Sequence, residues 1–168
     1  MRVVLHESTR LAYAADSLAG LSVGDALGAQ YFMVGRRVDD LLRGAIPEPV
    51  WQWTDDAEMA CSVYWILLER QGVDQDLLAE VFAERCEPNR GYGVGAFTIL
   101  HDIRKGVPWR AAAQSVFDGQ GSAGNGAAMR VAPVGAYHPD NPQRAAEHAA
   151  RSAEVTHAHP EGVAGAIA

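Results

Sequence analysis

The chain has 168 residues, of which 48% are hydrophobic and 21% charged, and a formal net charge of −7. That size and balance suit one domain with a core of its own. The negative charge argues against a nucleic-acid groove or an anionic membrane surface, both of which need clustered Lys and Arg. No apolar run is long enough to span a bilayer, and Met1 to Arg10 lacks the apolar stretch of an export signal, so a cytoplasmic protein is expected.

From the N-terminus, Leu11, Ala15, Leu18 and Ala19 share one face of a first helix. It follows Ser8 and Thr9 and runs to a glycine-rich end at Gly20, Gly24 and Gly28. Glycines four apart are expected to serve close helix packing. Asp25 among them is a costly carboxylate unless partnered, so it reads either as an acid that supports a nearby site or as one bonded to backbone N–H groups at a local break in the helix. Arg36 to Gln52, with Pro47, Pro49 and Trp51, reads as an irregular connection. A second helix begins at Thr54, places Ala60, Val63, Tyr64, Leu67 and Leu68 on its apolar face, and stops at Gln71 and Gly72. Asp74 caps a third helix carrying Leu77, Leu78, Val81 and Phe82. Phe97, Leu100 and Ile103 form a shorter one ending near Gly106. Pro108, Pro142 and Pro160 each open a further helix. Cys61 and Cys86 sit in helical patterns among apolar neighbours and read as buried, reduced thiols. No run alternates in the manner of a strand, so the fold class expected is all-α. After Pro160 the chain is small and apolar without a polar tail. It reads as cut short, with a last helix that needs covering by further residues or by self-association with a second copy.

Three stretches carry chemistry. In Thr54-Asp55-Asp56 the adjacent carboxylates repel one another, and a hard cation would relieve that repulsion. The same residues also make an ordinary helix start, with Thr54 as cap and acids in the first turn. In Gly121-Ser122-Ala123-Gly124-Asn125-Gly126 the glycines free backbone N–H groups to face a phosphate at a helix entrance, although a simple turn has the same composition. In Thr156-His157-Ala158-His159 the two histidines lack a matching pair for zinc, which leaves His157 as a hydrogen-bonding contact. Tyr92, between Gly91 and Gly93, is placed either to stack on an aromatic ring or to pack in the core or a turn. His6, His101, His138 and His148 have no motif and read as surface or helix-packing residues.

In their order along the chain, Gly24-Asp25-Ala26-Leu27-Gly28, Thr54-Asp55-Asp56, Arg90-Gly91-Tyr92-Gly93, Gly124-Asn125-Gly126-Ala127-Ala128-Met129-Arg130 and Thr156-His157 resemble the ADP-ribosylglycohydrolase family. The resemblance implies an all-α helical bundle and hydrolysis of the bond joining ADP-ribose to a protein side chain or small molecule, with two Mg²⁺ or Mn²⁺ ions. It implies that Thr54, Asp55 and Asp56 bind metal, with Asp55 and Asp56 also catalytic and Asp25 supporting them. It further implies that Ser122, Ala123, Gly124, Asn125 and Gly126 hold the diphosphate, and that Tyr92 and His157 line the ribose or adenine side. The chain departs from the family pattern in three places. A second Asp-x-Asp metal motif is absent, no carboxylate lies in the run Ala29 to Met33, and Ala57 stands where threonine is usual. Two functions follow: a metal-dependent glycohydrolase, or an inactive, shortened homologue that binds ADP-ribose or a nucleotide, or keeps only the fold.

Overall fold

In the computed structural model, residues 5–32 and 35–168 are described. Met1 to Val4, part of the stretch read above as lacking an export signal, and Met33, part of the run read as lacking a carboxylate, lie outside them. The first helix, α1 (Glu7–Ala29), is capped by His6, whose ring accepts from the Ser8 N–H, rather than by Ser8 or Thr9. It runs through Gly20 and Gly24 and ends at Ala29, one residue past Gly28. A Cβ added at Gly20, Gly24 or Gly28 would meet nothing within 4 Å. The glycine stripe therefore packs against no described part of the chain, contrary to the packing expected of it.

The supposed irregular connection contains a short helix, α2 (Val38–Leu42), whose N-terminus is held where the Asp40 carboxylate accepts from the Arg37 N–H. The central helix is α3 (Asp55–Arg70). Thr54 caps its start, and Gln71, in the left-handed region at φ 55°, turns the chain out of it. Asp74 caps α4 (Gln75–Arg85) as expected, accepting from the Leu77 N–H. Then come α5 (Val94–Arg104), α6 (Trp109–Ser115), α7 (Ala132–Tyr137), α8 (Pro142–Glu154) and α9 (Pro160–Ile167). There is no strand among the described residues.

Met59, Val63, Ile66 and Leu67 of α3 form the centre of the core, meeting Leu78 and Phe82 of α4, Leu100 of α5, and Val134 and Tyr137 of α7. Each such side chain contributes roughly 1.5–3 kcal/mol by leaving water, which makes α3 the element around which the others are placed. A smaller cluster of Ala127, Ala153 and Ala166 seats α9 on α8, so Gly162 and Ala166 of the apolar last helix are covered within the chain, while Ile167 stays exposed. Cys86 is buried but Cys61 is exposed. Cys61 lies on the flank of α3 that faces an open groove beside Ser22, Trp53 and Arg104, not on the core face.

His138 and His148 are both buried, with His138 Nε2 2.9 Å from His148 Nδ1. Only one proton fits between them, so charging both rings sets two N–H groups and two cations face to face. Burial lowers the pKa of both. His138 falls to about 4, helped by His148 and Arg144, and Arg144 also acts on His148. The unfolded chain, with imidazoles near 6.5, therefore binds protons first. The pair's contribution is complete above pH 6.5 and disappears as pH falls toward 4. Between those values the protein should lose on the order of 1–3 kcal/mol on this account. Tm measured across the window should fall less steeply in a His138→Gln/His148→Gln variant; an equal slope would show that the pair is not the acid-sensitive element.

Candidate active site

The acid pair at the start of α3 is positioned by another helix. Asp25 of α1 reaches across and accepts from the Thr54 N–H at 2.7 Å and from the Ala57 N–H at 3.3 Å, and its other oxygen lies 2.5 Å from Thr54 Oγ1. A carboxylate on these orphan N–H groups does the work of a second cap, favoured by the helix dipole. Thr54 Oγ1 gives its proton to Asp25 and lies 3.2 Å from an Asp56 carboxylate oxygen. Asp25, Thr54, Asp55, Asp56 and Gly91 line one open cavity of about 690 Å³.

Asp55 and Asp56 also face a second cavity, of about 470 Å³, on the other side of the pair. Its far wall is the glycine-rich loop, contributing Ser122, Gly124, Asn125 and Gly126, with Met129, Arg130 and His157 behind. Phe117, 60% exposed and at φ 54°, forms part of the rim with its ring against Gly95. Such strain in a non-glycine residue is characteristic of functional sites. Among the described residues, the backbone N–H groups of Ala123, Asn125, Gly126 and Ala127 donate no hydrogen bond. Gly124 N–H donates to Ser122 Oγ. The loop does not enter an α-helix directly, as expected, but a 3-10 turn at Ala128–Arg130 ahead of α7. The loop therefore presents free N–H groups rather than the dipole of a helix start.

No Lys or Arg pairs with Asp25, Asp55, Asp56 or Glu58 among the described residues. Burial first, then Asp56, Asp25 and Glu58, push the Asp55 carboxyl up to about 6, and burial and Asp25 raise that of Asp56. Two half-enclosed hard-oxygen groups that resist ionisation together are chemically suited to a divalent cation. Among the described residues, however, no group of three or more His, Cys, Asp or Glu side chains is arranged to hold a metal. The donor set thus fits one cation that keeps much of its water, not a closed cage.

The expected site residues divide accordingly. Asp55, Asp56, Ser122, Gly124, Asn125, Gly126 and His157 converge on the smaller cavity, and Thr54 and Asp25 on the larger one. Ala123 is exposed and lines neither. Tyr92 lines neither cavity; it packs against the core, and its hydroxyl donates to Glu58 at 2.7 Å. Glu58 also accepts from the Glu87 N–H, so it ties the Gly91 loop to α3 from beneath. Phe117 and Arg130 were not among the expected site residues. Two consecutive non-glycine residues at positive φ are invisible in sequence, whereas Arg130 stood within the motif already noted.

The family model for ADP-ribosylglycohydrolase matches residues 6–168. The chain belongs to the ADP-ribosylglycohydrolase family. Among curated members, ADP-ribosylhydrolase ARH3 of Gallus gallus is 38% identical over 174 residues, covering 89% of this chain and 46% of that protein. ARH3 of Bos taurus is 35% identical, with the same coverage. ADP-ribosylarginine hydrolase Tri1 of Serratia proteamaculans is 25% identical over 96% of this chain. A solved ADP-ribosylglycohydrolase-related protein complex shares the fold at TM-score 0.60 and 26% identity, covering 95% of this chain and 54% of that one. This ADP-ribosylglycohydrolase chain thus spans about half the length of the curated relatives it matches.

Proposed function

We propose that the chain binds ADP-ribose in the 470 Å³ cavity and, with Mg²⁺ or Mn²⁺, hydrolyses the glycosidic bond joining it to a protein side chain or small molecule. The observation that carries this reading is the convergence of the Asp55–Asp56 pair and the glycine-rich loop on one cavity. The loop's free N–H groups suit the diphosphate, and Phe117 offers an aromatic face for the base. The acid pair then lies toward the ribose whose anomeric bond is cut. Asp55, Asp56 and the remaining lone pair of Thr54 would hold the cation, which when bound orients the substrate and makes a water more acidic. Hydrolysis breaks the bond from the anomeric carbon to the acceptor atom and delivers a water oxygen to that carbon. A carboxylate of the pair takes one proton of the water and the acceptor atom leaves with a proton, so that one water in all is added across the bond.

A second reading, ADP-ribose binding without hydrolysis, is favoured by one observation: among the described residues, no group of three or more His, Cys, Asp or Glu side chains is arranged to hold a metal. Incubating the chain with an ADP-ribosylated arginine or serine peptide and Mg²⁺ or Mn²⁺ should release free ADP-ribose, quantified by chromatography. Calorimetric binding without release would leave the binding function alone. Neither release nor heat would overturn both.

A further inference from the structure

Arg130 is fully buried, yet it meets no carboxylate among the described residues. Its guanidinium lies 4.5 Å over the Phe82 ring, and one terminal nitrogen donates to the Gly126 carbonyl at 2.9 Å. The other donates to the Ser152 carbonyl at 2.8 Å and to Thr156 Oγ1 at 2.9 Å. Thr156 Oγ1 is in turn 2.8 Å from His157 Nδ1, and Thr156 is wholly buried. Resting on the reading above, in which His157 borders the ADP-ribose cavity, we infer that Arg130 and Thr156 are positioning residues that hold His157 with its proton on Nε2, presenting an N–H donor to an acceptor oxygen of the ligand.

The assignment follows from counting protons. A guanidinium only donates, so Thr156 Oγ1 accepts from Arg130. Its single hydroxyl proton has one acceptor among the described residues, His157 Nδ1. Nδ1 is thereby the acceptor nitrogen of a neutral ring, and Nε2 carries the hydrogen. The Arg130 charge opposes imidazolium formation. Burial and Arg130 together depress the His157 pKa to about 4, so this neutral form persists through the physiological range. The chain from guanidinium to hydroxyl to imidazole runs in one direction, each bond polarising the next toward the cavity. Two glycines clamp the ring. A Cβ at Gly126 would come within 3.0 Å of Cε1 and 3.3 Å of Nε2, and one at Gly162 within 3.0 Å of Cδ2. The same guanidinium that orders the imidazole thus also fixes the Gly126 carbonyl, coupling donor and loop in one arrangement.

Long-range proton–nitrogen correlation spectra of the imidazoles test this directly. Wild-type His157 should show a protonated Nε2 and an unprotonated Nδ1, unchanged between pH 5 and 8. Thr156→Val keeps the shape but removes the hydroxyl. It should shift His157 toward the Nδ1–H tautomer and weaken ADP-ribose binding by about tenfold in calorimetry, while Thr156→Ser restores both. A wild-type Nδ1–H tautomer, or a Thr156→Val protein with unchanged tautomer and affinity, would overturn the inference. Should Thr156→Val fail to fold, the wild-type spectrum decides alone. If the wild type binds no ADP-ribose, the functional reading fails, while the tautomer still decides the positioning role.

Discussion

Replacing Asp55 and Asp56 together by Asn should abolish the metal response of the protein while making the metal-free protein more stable. The two effects have one cause. The Asp55 carboxyl, ordinarily near 3.8, is raised to about 6 by burial and neighbouring acids. A raised folded-state pKa means that stability is complete below pH 3.8 and is lost as pH rises through 6. At pH 7 the ionised group therefore costs on the order of 2–3 kcal/mol. Asn has nearly the same shape and no charge to suppress, so Tm at pH 7 should rise without metal. Mg²⁺ or Mn²⁺ should raise the wild-type Tm, by about 2.7 kcal/mol of stability at a hundred times Kd, and leave the variant unmoved. Release of ADP-ribose from a modified peptide should fall at least about 100-fold, the scale of losing groups that anchor charge in the reaction. A variant that keeps the metal-induced rise in Tm would remove the pair from the cation site. An ordinary helix-start role for these acids predicts the opposite sign, a loss of stability on replacement.

The second large effect is expected at Gly121→Ala. Gly121 sits at φ +76°, and a Cβ there would fall 2.6 Å from Ala158 Cβ and 2.8 Å from the His159 backbone nitrogen. Backbone cannot yield as the end of a long side chain does. The loop must instead lift away from the His157–His159 segment, carrying Ser122 to Gly126 out of register with the acid pair. Stability should fall by roughly 2–4 kcal/mol, and ADP-ribose affinity should drop more than tenfold, read by calorimetry. Gly119→Ala supplies the control. Its φ is +80°, but nothing lies within 4 Å of the added carbon, so it carries backbone strain alone. Equal behaviour of the two variants would mean that close packing of the loop against His157–His159 is not what shapes the cavity.

Features legible in the sequence were those whose cause is local. Asp74, Pro142 and Pro160 act on the first turn of their own helices, and the structure places α4, α8 and α9 where those residues announced them. The aspartate pair and the glycine-rich loop were recognisable because each is a continuous motif. What was hidden depends on partners far along the chain. Asp25 looked like an acid in need of company, but nothing nearby shows that it caps a helix 29 to 32 residues later. Tyr92 between two glycines suits stacking, a turn or the core alike, and only the approach of Glu58, 34 residues away, decides for the core. Cys61 has apolar neighbours in sequence, yet its own flank of α3 faces an open groove. Arg130 was overlooked because a guanidinium is ordinarily a surface group.

The cross-helix bond from Asp25 also gives α1 a mechanical part. This helix is about 35 Å long. Its first turns are anchored by Arg10, which holds the Tyr137 carbonyl and Asp140, and by Glu7, which accepts from the Tyr137 hydroxyl. Its far half holds three glycines with open space around them, each costing about 1 kcal/mol of helix propensity relative to alanine. The beam is stiff where it is bolted down and compliant where it grips Thr54. Fraying of that end would release Thr54 from Asp25 and slacken the start of α3, so the acid pair keeps its spacing only as firmly as α1 keeps its last two turns.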